Sequence, residues 1–199
     1  MLRIYYRLKE KINQQIIKPF IESVSPIHEA GLGAAIGLFV GFTPTVGIQM
    51  WIVFLIWLVC KHLFGIRFDL IIGTALVWIS NPFTIFFFYY GFLATGYRFY
   101  ALIGISRAEL SYELFYQKLS AILNAENTSF WEIIINGTRF LIYDLGYPMV
   151  LGSLFYATPL AVISYFVTKK LLLVYRLRQA SKMGLDYETW REKYERSRD

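Results

Sequence analysis

Charged side chains are missing from three long stretches of this sequence: no Asp, Glu, Lys or Arg occurs from Ala30 to Cys60, from Leu70 to Tyr97, or from Leu145 to Thr168. Each stretch exceeds the roughly 20 residues that span hydrocarbon, whereas a buried helix of a soluble protein is apolar over about 10 to 14 positions. The same gaps count against an ion-coupled carrier or a proton relay, which place Asp, Glu or His inside the bilayer. Cysteine is nearly absent too: Cys60 is alone, which excludes an intrachain disulfide. With only His28 and His62 as histidines, no Cys/His metal site is expected. The apolar segments hold no serine with a histidine base and no acidic pair, so enzymatic chemistry, a metal and a cofactor are not expected. Met1 to Lys11 lacks the continuous apolar core of a secretory signal, so the first apolar stretch must act as its own address.

What is present is apolar and basic. Hydrophobic residues make up 56% of the 199-residue chain and charged ones 17%, on the membrane side of the values near 45–50% and 25% typical of soluble domains. The net charge of +6 collects at the ends: five basic against three acidic residues precede Ala30, and nine against five follow from Lys169. Basic residues flanking apolar spans reflect the positive-inside bias and attraction to anionic lipid headgroups, not nucleic-acid binding. Both termini are therefore expected in the cytoplasm. The chain divides into an interfacial amphipathic segment (1–29), a membrane domain (30–175) with an amphipathic insertion (98–144), and a basic cytoplasmic tail (176–199).

In the first segment Leu8, Ile12, Ile16, Phe20 and Val24 recur every fourth position, as in a helix lying among headgroups. Ser25-Pro26 suits a helix entry, because serine caps and proline is tolerated in the first turn. From Ala30 to Cys60 one continuous helix would measure about 46 Å, too long for a hydrocarbon layer of about 30 Å. A break is expected at Thr43-Pro44-Thr45-Val46-Gly47, where Pro44 cannot donate to the carbonyl of Val40 and Gly47 permits a tight reversal. The result is a hairpin of two short spans or a re-entrant element. Asn81-Pro82 interrupts the second stretch and frees the carbonyl of Trp78, and Pro159 interrupts the third. Ser106 with Glu109, and Ser129 with Glu132, have capping-box spacing and predict two amphipathic helices in the insertion. Tyr187, Trp190 and Tyr194 predict a short amphipathic helix in the tail. The fold expected is an all-α integral membrane protein, a small bundle of about four membrane-crossing helices with proline-broken or re-entrant segments plus interfacial helices.

Gly33, Gly37 and Gly41 form a small-residue stripe for close helix packing or, alternatively, a groove for a lipid chain. The breaks carry more chemical information, since free backbone groups in hydrocarbon persist only where protein or a wet cavity satisfies them. Gly41, Thr43, Pro44, Gly47, Gln49, Asn81, Pro82 and Thr84 are the candidate binding residues, with Thr45 and Ser80 nearby. Broken helices with such groups form midplane sites in transporters. A shift of 115 positions places Gly31 on Gly146, Gly37 on Gly152, Thr43 on Thr158 and Pro44 on Pro159. A true internal repeat would put the two Thr-Pro breaks across a pseudo-two-fold axis; apolar sequences also produce such matches by chance.

The string from Ser25 through Tyr90, with G-L-F-V-G-F-T-P-T-V-G-I-Q ending at Gln49 and W-I-S-N-P-F-T-I from Trp78, resembles the bacterial membrane family catalogued as domain of unknown function number two thousand and sixty-two. The resemblance implies a multi-pass protein of the bacterial inner membrane. Members joined to glycosyltransferase-like domains make an envelope glycosyltransferase, besides membrane lipids and a second copy of the chain, an expected partner. Two functions are carried forward. One is non-enzymatic binding, with or without translocation, of a lipid-linked or small anionic solute at paired broken helices in envelope glycan or lipid metabolism. The other is a scaffold subunit that docks another envelope protein through the glycine-rich face.

Overall fold

The computed structural model describes residues 23–80, 84–104, 117, 135, 142 and 145–195. Six helices and no strand occur among the described residues: α1 (Ile27–Gly41), α2 (Gln49–Leu63), α3 (Leu70–Val77), α4 (Ile85–Leu102), α5 (Tyr147–Lys182) and α6 (Tyr187–Tyr194). The amphipathic pattern before Glu22, the Asn81-Pro82 break and both capping boxes of the insertion lie outside the described residues.

The chain forms two compact units, one of residues 1–81 and 157–199 and the other of residues 82–156, a division that cuts across the sequence segment 30–175. In the first unit α1 and α3 are the closest pair. α1 is rich in glycine, a poor helix former by itself, so the helix depends on its packing. A β-carbon built on Gly33 would lie 2.3 Å from the Asp69 carbonyl oxygen, and one on Gly37 would lie 2.2 Å from that of Gly73. The two backbones are in contact, and Ala30, Ala34, Ile72, Leu76 and Leu172 close around them. α3 is fixed at its start by the Asp69 carboxylate, which accepts from the Ile71 and Ile72 amides at 2.9 and 3.0 Å and from the Ser23 hydroxyl at 2.6 Å. That cap satisfies donors that would otherwise be unpaired at a buried helix end. The Asp69 amide in turn donates to the carbonyl of Glu29 at 3.0 Å, tying α3 to the first turn of α1.

In the second unit α4 meets the first turns of α5. A β-carbon on Gly96 or Gly152 would collide with the carbonyl oxygens of Pro148 and Phe92, respectively. The Thr95 and Tyr156 hydroxyls are 2.8 Å apart, and the rings of Phe99 and Phe155 lie 5.3 Å centroid to centroid.

Three sequence expectations change. Pro159 does not break its segment, because α5 runs through it over 36 residues. The Thr-Pro pairs of the suggested repeat are therefore not equivalent: one lies in a helix break and the other inside a helix. Ser25 does not cap α1; the N-cap position is Pro26, with no side-chain hydrogen bond, and the Ser25 carbonyl is used elsewhere. Among the described helices α5 is the one long and apolar enough to cross a membrane by length and composition. α1 and α2, at 15 residues each, measure about 22 Å, short of the roughly 30 Å of a hydrocarbon core. Large apolar side chains nevertheless face outward, among them Trp51, Leu55 and Val59 on α2 and Ile163, Phe166 and Leu171 on α5.

Candidate binding site at the first helix break

The first apolar stretch is interrupted where the sequence places the break, between Gly41 and Gln49. The Val40 carbonyl, expected to be freed by Pro44, is closed locally: it accepts from the Thr43 amide at 3.0 Å and from the Thr43 hydroxyl at 2.7 Å. Thr43 thus supplies twice the donor that proline withholds. Its hydroxyl also lies 2.8 Å from that of Thr45. Gly47 adopts φ +94°, the left-handed conformation that lets the chain reverse into α2. α2 starts at Gln49 with no side-chain cap.

Gln49 is the hub. Its side chain is buried, 4% exposed, inside an otherwise apolar stretch. The amide nitrogen reaches the Thr43 carbonyl at 3.4 Å, a long contact, and the amide oxygen accepts from the Ser80 hydroxyl at 2.9 Å. Ser80 Oγ also lies 3.2 Å from the Val77 carbonyl at the end of α3. A polar string, Thr45–Thr43–Gln49–Ser80, therefore links the break after α1 to the chain that leaves α3. Such a string pairs polar groups that would each cost several kcal/mol if left isolated in an apolar interior.

An open groove of about 410 Å³ is lined by Met50, Trp51 and Phe54 of α2 and by Leu70 and Thr74 of α3. Its walls are apolar in effect, because the Thr74 hydroxyl is turned back to the carbonyls of Leu70 and Ile71. Met50 follows Gln49 in α2, but no residue of the polar string lines the groove.

The structure brings Gly41, Thr43, Pro44, Gly47 and Gln49 together at this break. Gly41 is buried, with the Ile79 side chain and the backbone of Leu76 and Val77 against it. Asn81 and Pro82 lie outside the described residues. Thr84 belongs to the second unit, where it holds the N-cap position of α4 without a side-chain cap. Ser80 as the partner of Gln49 escapes sequence reasoning, because 31 residues separate them and only tertiary packing sets the pair. The groove escapes it for the same reason. Among the described residues no group of His, Cys, Asp and Glu has the arrangement of a metal site.

The family model described as an uncharacterized protein conserved in bacteria (DUF2062) matches residues 11–181. The chain belongs to this family. No curated protein and no solved structure matches it. The matched range of this DUF2062 member contains the whole polar string and all of α1 to α4.

Proposed function

We propose that this DUF2062 protein is a non-enzymatic, multi-pass inner-membrane protein that binds, and moves or presents, a lipid-linked anion. The carrying observation is the buried Gln49 bridging to Ser80 at the start of α2, the same helix whose Met50, Trp51 and Phe54 line an apolar groove. A ligand with a polar head and an apolar chain fits that pairing: hydroxyl and amide groups receive the head, and Trp51, Phe54 and Leu70 line the path of the chain. The start of α2 contributes the positive end of a helix dipole, which favours an anionic head. The outward apolar side chains of α2 and α5 support membrane residence, since such faces are covered by lipid or partner. In a bilayer, α1 and α2 with their short arms form a re-entrant hairpin, while α5 crosses.

The glycine-face scaffold reading has less support, because the Gly33 and Gly37 surface is filled by α3 of the same chain. The test is retention of a polyprenyl phosphate by the full chain in nanodiscs, counted by native mass spectrometry. Gln49→Leu, which removes the bridge, and Thr74→Trp, which fills the groove, should each lower retention about tenfold, equivalent to about 1.4 kcal/mol. Wild-type retention in both folded variants, or equal binding of the corresponding alcohol without phosphate, would refute the reading.

A further inference from the structure

Arg176 is a cation that the helix-break site leaves unexplained. It lies on α5, eight residues beyond the last position of the uncharged stretch, and is 2% exposed. A guanidinium does not give up its proton in a protein, so burial there obliges a counter-charge and acceptors. Nη2 donates to the carbonyls of Ser25 and Ser23 at 2.6 and 3.1 Å. Nη1 lies 3.1 Å from the Glu195 carboxylate, an ion pair that lacks hydrogen-bond alignment. The Trp190 ring covers the guanidinium at 5.7 Å, while the buried indole nitrogen of Trp190 has no hydrogen-bond partner. Burial raises the Tyr187 phenol above its usual range, with the Glu195 charge adding to the effect.

Two carbonyls hold Arg176 permanently, whereas its counter-charge comes from a weakly anchored element. α6 is eight residues long and contains no buried residue. It joins α5 through Gly184 in the left-handed conformation, φ +69°. A helix of that length does not persist alone in water, so α6 is ordered by its contacts and melts when it lifts. Lifting it leaves the guanidinium with its two carbonyls but without its counter-charge, which another anion can supply in place of Glu195. Nη1 of Arg176 is the donor without a hydrogen-bond partner that such an anion would meet. Position selects its chemistry: at about 1.5 Å per residue, Arg176 sits about 12 Å past the uncharged stretch, at headgroup depth if α5 crosses a bilayer, among Lys169, Lys170 and Arg178. A phosphate oxygen accepts a strong charge-assisted bond from a guanidinium N–H such as that of Nη1.

We propose that α6 is an exchangeable strap, and that the Arg176 site beneath it takes a phosphate group, from a lipid headgroup or free in solution, in place of the Glu195 carboxylate. This site is separate from the helix break and stands whether or not that break binds a ligand.

Amide hydrogen exchange of residues 187–194 in the full chain reads the strap directly. The chain is placed in neutral phosphatidylcholine nanodiscs, then in nanodiscs containing phosphatidylglycerol, and then in neutral nanodiscs with added inorganic phosphate or with chloride at equal ionic strength. Exchange in α6 should accelerate about tenfold or more with phosphatidylglycerol if the lipid is the source, or with phosphate if the free ion is, and chloride should not reproduce it. Glu195→Gln, a substitution at a partly exposed position, should leave α6 fast-exchanging even in neutral nanodiscs. Equal rates in all four conditions, an equal effect of chloride, undiminished protection in Glu195→Gln, or a lipid or phosphate response that survives in Arg176→Gln would each overturn the proposal.

Discussion

Two glycines of α1 and the turn after it do different physical work, and a single methyl group separates them. At Gly37 the added β-carbon meets the backbone of Gly73, which cannot rotate away, so Gly37→Ala must force α1 and α3 apart. Its expected cost is about 2–4 kcal/mol, from overpacking together with the lost contacts of Ala34 and Ile72. At Gly47 nothing lies within 4 Å and the strain is in the left-handed backbone alone. Gly47→Ala should cost about 1–2 kcal/mol. Thermal unfolding in detergent, followed by helical circular dichroism, checks the order; a Gly47→Ala variant less stable than Gly37→Ala would contradict the close packing of α1 on α3. Thr43, Pro44 and Gln49 were legible in the sequence as polar or helix-breaking residues within an apolar run. How Thr43 closes the Val40 carbonyl was not, because proline spacing identifies a missing donor and leaves its replacement unspecified.

The helices divide into those that local sequence explains and those that need a neighbour. α6 draws on both, because its contacts with Arg176 keep it ordered while local sequence sets its start: the Asp186 carboxylate accepts from the Glu188 and Thr189 amides at 3.1 and 3.3 Å and from the Thr189 hydroxyl. These bonds, led by that of the Thr189 hydroxyl, hold the Asp186 carboxyl below its ordinary range. A depressed carboxylate contributes stability above its unfolded value and loses it as pH falls through the folded one. α6 should therefore loosen in acid, below about pH 4. Asp186→Asn keeps a capping acceptor and should remove the Asp186 share of that pH response, measured by amide exchange at pH 3 and pH 6. An unchanged response would show that the cap does not titrate in this range. The tail spacing of Tyr187, Trp190 and Tyr194 announced this helix. The break between α1 and α2 was equally legible, since length and Pro44 both demanded it. Pro159 misled, because one proline in a long apolar helix removes one hydrogen bond and the remaining bonds of α5 outweigh that loss.

For the molecule as a whole, an all-helical apolar chain and its family could be read directly, because uncharged runs and the T-P-T-V-G-I-Q and S-N-P-F-T strings are local properties. The division into two units could not, since it depends on which helices pack together after folding. That division falls at positions 81/82 and 156/157. Pro82 opens one crossing and Pro159 follows the other within a single helical turn. At Pro159 the ring leaves the Phe155 carbonyl without its helical donor. The proline that fails to end α5 therefore marks a seam, at which backbone cohesion is thinnest although the helix is continuous. Amides around 155–163 should lose exchange protection before those of 165–176, and Pro159→Ala, by restoring the donor, should bring the two sets together. Uniform protection along wild-type α5 would mean that the helix behaves as one rod; graded protection means that it yields first at the turn whose hydrogen bond Pro159 removes.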